Sequence, residues 1–175
     1  MARVLIVGCG CRGRMLAETL RADGHVVRGT TRNREGLETI DAAGAEAVVA
    51  DPDRLGTLMS ALAGVAVVCW LMGTADGGAD LHGDRLGTFV ERLVDTPVRG
   101  LVYEAGGSVD AALRQQGAGI VRRGSQTWRI PAEIVDADPA RRQEWLAAMR
   151  AAVERLLSGP TLGSPAGRSA LKQRC

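Results

Sequence analysis

The chain has 175 residues, 46% of them hydrophobic, with 22 basic and 20 acidic side chains and a net charge of +2. That length fits a single domain whose core holds without crosslinks. The charges are interspersed, no apolar run approaches the roughly 20 residues that span a bilayer, and the start has no secretory apolar segment. Nothing in this balance indicates nucleic acid or membrane as a partner, and a cytoplasmic location is the default expectation. Cys9, Cys11, Cys69 and Cys175 form neither a C-x-x-C motif nor a Cys/His cluster, so no metal site is expected.

Arg3–Val7 reads as a short buried strand. Gly8-Cys-Gly-Cys-Arg-Gly13 follows at once, then a helix over Arg14–Arg21, stopped at Gly24, and a second strand at His25–Gly29. Glu35–Ala43 reads as a helix and Ala45–Ala50 as a third strand. Asp51-Pro52 carries the pattern of an N-cap followed by a first-turn proline, ahead of a helix bearing Leu55, Leu58, Met59 and Leu62. Val65–Met72 is a near-continuous apolar strand of the kind covered on both faces.

Gly73–Asp80 is a glycine-rich loop, and Leu81–Asp95 a helix with Leu86, Phe89, Val90, Leu93 and Val94 inward. Val98–Tyr103 is a fifth strand, Glu104–Gly107 a loop and Val109–Gln116 a short helix. Gly119–Arg122 and Trp128–Asp136 read as later strands. Asp138-Pro139 repeats the capping pattern before a helical stripe of Trp145, Leu146, Met149, Val153, Leu156 and Leu157. The alternation predicts an α/β fold, a doubly wound, mostly parallel sheet with helices on both faces in one domain over 1–157. A Gly/Pro/Ser-rich tail occupies 158–175.

Strand, G-x-G-x-x-G, helix and strand within some thirty residues is the setting that a dinucleotide-binding turn requires. Gly8 allows the tight turn, Gly10 leaves the backbone open to a pyrophosphate, and Gly13 lets the helix pack closely. The amides around Cys11, Arg12 and Gly13 then face the phosphates at the positive end of the helix dipole. An NAD site usually ends the second strand on a carboxylate for the ribose 2′-hydroxyl. Here Thr31 and Arg32 stand at that place, with Arg34 and Arg12 in reach, and no carboxylate precedes Glu35. A guanidinium pairs with a 2′-phosphate, so NADP is favoured over NAD. Cys9 and Cys11 sit in this turn, where small residues fit; a lowered thiol pKa at a helix start is the alternative.

Four stretches carry a family resemblance: Gly8–Gly13, Gly24–Asn33, Ala50–Val68 and Gly100–Val109. Together they resemble the extended and atypical branches of the short-chain dehydrogenase/reductase superfamily, the NAD(P)-dependent epimerase/dehydratase-like Rossmann proteins. The resemblance implies that Arg32 meets the 2′-phosphate, that Asp51 meets the adenine edge, and that Trp70, Leu71, Met72 and Gly73 lie on the ribose and nicotinamide side. The glycine spacing departs from the family's commoner G-x-x-G-x-x-G.

The family's catalytic pair, a tyrosine with a lysine four residues on, is missing. The single tyrosine is Tyr103, followed by Gly107 at that spacing, and the single lysine is Lys172. Glu104 and Ala105 replace the serine expected after the fifth strand. No catalytic residue is assigned; Tyr103, Glu104 and His82 are the candidates near the edge, and Trp70 is a candidate for ring stacking or for the core. Two readings stay open. One is an NADP-dependent oxidoreductase acting on a small, activated, flavin- or quinone-like acceptor that needs little proton help. The other is a sensor or regulatory module that binds NADP(H) without turnover. A homodimer also stays open.

Overall fold

The structure, a computed structural model, describes residues 1–75 and 78–159. Six strands form one sheet: β1 (Arg3–Val7), β2 (Val26–Thr31), β3 (Glu46–Val49), β4 (Val67–Trp70), β5 (Gly100–Glu104) and β6 (Ala132–Val135). All neighbours pair in parallel, in the order β3-β2-β1-β4-β5-β6. Among the described residues, five α-helices connect them, α1 (Cys11–Ala22), α2 (Leu37–Ala42), α3 (Leu55–Ala61), α4 (Asp84–Arg92) and α5 (Ala111–Trp128), and α6 (Arg142–Ser158) follows β6. This is the Rossmann fold, and the strand order reverses between β1 and β4.

Strand parity divides the core. Leu5, Val7, Val68, Trp70, Leu101 and Tyr103 point toward α3, α4 and α5. Val4, Ile6, Val67, Cys69 and Val102 point toward α1, α2 and α6. The last helix packs as its stripe predicts, with Trp145, Met149, Val153 and Leu156 buried.

Several sequence expectations change. The predicted strand at Gly119–Arg122 and the turn after it lie inside α5, which runs unbroken for 18 residues. Three glycines inside that helix imitate a turn, yet two of them serve packing. A Cβ at Gly117 would stand 2.1 Å from the Tyr103 hydroxyl, and one at Gly124 would stand 2.4 Å from Val90. Trp128 therefore ends a helix, and the later strand shrinks to Ala132–Val135.

Neither Asp-Pro pair caps a helix. Asp51 accepts from the Asp53 amide and Asp138 from the Ala140 amide. Each makes a turn three residues ahead of its helix's N-cap, Arg54 or Arg141. Val94, expected inward, is 45% exposed past the end of α4. Glu104 is the last residue of β5 rather than a loop residue. The expected tail lies outside the described residues from 160 on, as do Asp76 and Gly77 of the glycine-rich loop.

Candidate functional site

The turn from β1 into α1 forms one wall of an open cleft of about 480 Å³ at the carboxyl edge of the sheet. Gly8 takes a φ of +82°, and a Cβ there would come within 2.7 Å of the Leu71 carbonyl. Only glycine meets both demands without strain. The Gly8 amide donates to the Thr30 hydroxyl at 3.1 Å and the Cys9 amide to the Thr30 carbonyl at 3.0 Å, so β2 holds the turn. A Cβ at Gly13 would meet the Gly8 carbonyl at 3.2 Å and the Cys9 sulfur at 3.3 Å, which sets how closely α1 lies on the sheet. Gly10 differs: a Cβ there would meet nothing within 4 Å, so the space above it is open.

Gly10 is also the N-cap of α1 and brings no side chain to the job. The amides of Cys11, Arg12 and Gly13 are thus left without intrahelical partners at the positive end of the helix dipole. Thr31, Arg32, Ala50 and Pro52 line the far side, and Leu71, Met72, Thr74 and Ala75 the end near β4. Among the described residues, the charged side chains lining the cleft are Arg12, Arg14 and Arg32, with no carboxylate. The lining stops at β4; no residue of β5 or β6 contributes.

Two residues expected here stand elsewhere. Trp70 is fully buried, tilted against Phe89 with ring centres 5.0 Å apart, and its indole donates to the Leu81 carbonyl at 3.2 Å. Strand parity points it under α4, away from the cleft. Asp51 is flanked by lining residues without lining the cleft itself, and its carboxylate lies 3.8 Å from Arg32 Nε.

The three catalytic candidates are all inside. His82 Nε2 lies 3.1 Å from the Met72 carbonyl, which only accepts, so Nε2 carries the hydrogen and Nδ1 accepts from the Tyr103 hydroxyl at 2.6 Å. Burial lowers the His82 pKa and raises that of Tyr103, so both stay neutral. The pair ties the segment before α4 to the sheet, and neither ring reaches the cleft.

Glu104 has no exposed surface. Its oxygens accept from Arg12 Nη2 at 2.9 and 3.1 Å, from the Gly73 amide at 3.0 Å and from the Trp145 indole at 3.0 Å. Arg12 also donates to the Thr74 hydroxyl at 3.0 Å, and its guanidinium lies 5.5 Å from the centre of the Trp145 ring. Burial pushes the Glu104 carboxyl above its ordinary value, while Arg12, Gly73 and Trp145 pull it back. Every partner is a donor, so a protonated carboxyl would leave its own hydrogen unpaired; the group is a carboxylate at neutral pH. This network is absent from the sequence reading. The one hint was an arginine inside a glycine turn and a glutamate closing an otherwise apolar strand.

Of the two thiols in the turn, Cys9 is buried against Gly29, and burial pushes it up to about 11. It stays a thiol at neutral pH, which removes the lowered-pKa alternative for that residue. Cys11 is exposed at the start of α1.

Residues 8–110, more than half of the chain, match the NAD(P)H-binding family. The chain belongs to that family. The match takes in the glycine turn, both walls of the cleft and β5. No curated protein matches the sequence. Among solved structures, this NAD(P)H-binding protein is similar to the Citrobacter sp. triphenylmethane reductase complexed with NADP(H), at 20% identity and a TM-score of 0.62, covering 77% of this chain and 48% of that one. It is also similar to the UDP-N-acetylglucosamine 4-epimerase of Bacillus cereus, at 15% identity and 0.61, covering 78% and 53%. A UDP-glucuronic acid 4-epimerase of Bacillus cereus in complex with NAD follows at 13% and 0.59, covering 75% and 55%. These likenesses establish the fold. The chain spans about half the length of each of these structures. Among the described residues, no helix is long and apolar enough to cross a membrane.

Proposed function

We propose that the protein binds NADP(H) in the glycine-turn cleft, in preference to NAD(H), and serves as an oxidoreductase for a small, planar, activated acceptor. One observation carries the cofactor preference: Arg32 stands at the end of β2 in a cleft that, among the described residues, is lined by three arginines and no carboxylate. The amides of Cys11–Gly13 and the open side of Gly10 suit a pyrophosphate. Thr31 and Arg32 suit a 2′-phosphate, whose charge competes favourably with Asp51 for the guanidinium. Leu71 and Met72 give an apolar floor toward the reacting end. When bound, the dinucleotide supplies the hydride, and the protein holds the two partners in contact.

The acceptor class follows from what the cleft lacks. Tyr103, His82 and Glu104 are buried in pairs of their own, so none of these three is free there to give a proton. A flavin- or quinone-like acceptor makes the least demand on such a site. A second reading, binding without turnover, is favoured by the same edge: Arg12, Glu104 and Trp145 occupy the region beside β5. The residues 1–157 then act as one binding domain.

Calorimetric titration with NADPH and NADH tests the cofactor half. Arg32→Ala should weaken NADPH about tenfold, the lower end for a charge-assisted contact at a partly exposed site, and leave NADH unchanged. Equal losses would remove Arg32 from the 2′-phosphate role. NADPH consumption with flavins and quinones separates the two readings. Tight NADPH binding with no consumption selects the non-catalytic module.

A further inference from the structure

A second cavity of about 260 Å³ opens at the carboxyl ends of β5 and β6. It shares no lining residue with the glycine-turn cleft. A wall of backbone separates them. The Val109 amide donates to the Gly73 carbonyl at 3.0 Å, and a Cβ at Gly107 would lie 2.0 Å from that same oxygen. Glu104 fastens Gly73 from below. Whatever occupies this second cavity stands apart from the first cleft.

Arg114, Ala118 and Arg122 line one side of the cavity, spaced four apart and so stacked along one face of α5. Gln115 flanks them, and Asp136 lies opposite, beyond β6. Arg114 is already ordered. Its Nε donates to the Val109 carbonyl at 2.8 Å and its Nη1 to the Ala105 carbonyl, and Asp136 lies 3.8 Å from Nη1. Its Nη2 has no hydrogen-bond partner among the described residues. Arg122 is exposed and makes no ion pair or side-chain hydrogen bond among them. With Asp136 the single carboxylate among the described lining residues, these carry one net positive charge. A guanidinium whose rotamer is fixed before binding loses little further entropy on meeting a ligand, and the small Ala118 between the arginines leaves room.

We propose that this cavity is a second binding site, for a small molecule bearing a carboxylate or phosphate group. Arg114 and Arg122 are the charge partners, and the Gln115 amide donates beside them. The carboxyl edge is where open α/β sheets take their ligands. The proposal stands independently of the dinucleotide reading, because the two cavities share no residue.

The test is a titration of the isotope-labelled full chain with inorganic phosphate and, separately, with succinate, at constant ionic strength. It reads the NMR signals of the Gln115 side-chain amide and the Arg114 Nε–H. Saturable shifts with either probe are expected, and Arg122→Ala should weaken them about tenfold, the loss of one charge-assisted contact. Arg32→Ala, in the other cleft, should leave them unchanged. Saturation by phosphate alone or by succinate alone identifies the group and supports the site. Shifts that rise linearly without saturating, or that are the same in Arg122→Ala, overturn it. Arg122 is exposed, so this variant keeps the fold, which its remaining spectrum verifies.

Discussion

Replacing Arg12 by alanine leaves Glu104 buried without the guanidinium that binds both its oxygens. Losing one partner of a buried pair costs about 3–5 kcal/mol. Here the lower end applies, about 3 kcal/mol, because Arg12 is 22% exposed and the Gly73 and Trp145 donors remain. In a chain of this size that lowers the thermal midpoint by about 6–12 °C. The loss should also depend on pH in a definite sense. Burial holds the folded Glu104 above its ordinary value. The stability linked to a raised acid is complete below its unfolded pKa, about 4.3, and is lost as pH rises through the folded one. Without Arg12 the folded value climbs further. The deficit of the variant should therefore be small near about pH 4 and grow toward about pH 8. Urea unfolding followed by circular dichroism across that range measures it. Glu104→Gln in the same background should remove the pH dependence. A deficit below about 0.5 kcal/mol, or one that does not vary with pH, would refute the claim that Arg12 neutralises a buried charge.

Gly10→Val should abolish dinucleotide binding in calorimetry with a change in stability below about 1 kcal/mol, since its Cβ meets nothing of the protein; intact binding would mean the turn is not the phosphate site. Gly117→Ala should destabilise by about 1–3 kcal/mol through overlap with Tyr103. Gly119→Ala, whose Cβ would meet only the end of Arg123 at 3.4 Å, should stabilise by about 0.5–1 kcal/mol in the same denaturation assay. In a Cys175→Ser background, Cys11 should react with a thiol reagent in the native protein at neutral pH, while Cys9 and Cys69 wait for unfolding; two fast thiols would contradict the burial of Cys9.

Most of the layering was legible because alternating strands and amphipathic helices write their period into the sequence. Arg3–Val7, the glycine turn and the apolar run at β4 each announce their place. The glycines of α5 misled because their reason is tertiary. Helix propensity penalises Gly117, Gly119 and Gly124 by about 1 kcal/mol each, and only the approach of Tyr103 and Val90 explains two of them. Trp70 stayed open between ring stacking and the core for a related reason. It ends a strand that points at the cleft, yet its parity with Val68 and Leu5 places it in the opposite layer, and a run apolar on both faces hides that parity. The Arg12–Glu104 pair joins residues 92 apart, beyond the reach of any local pattern.

That separation also bears on how the molecule assembles. Glu104 meets its partners only when α1, the loop after β4 and α6 have all been brought to β5, and the Trp145 bond alone closes 41 residues. Contacts with such long loops form late, after closure entropy has been met. The network then belongs to the downhill side of the folding barrier. It leaves the folding rate nearly untouched and governs how slowly the finished protein comes apart.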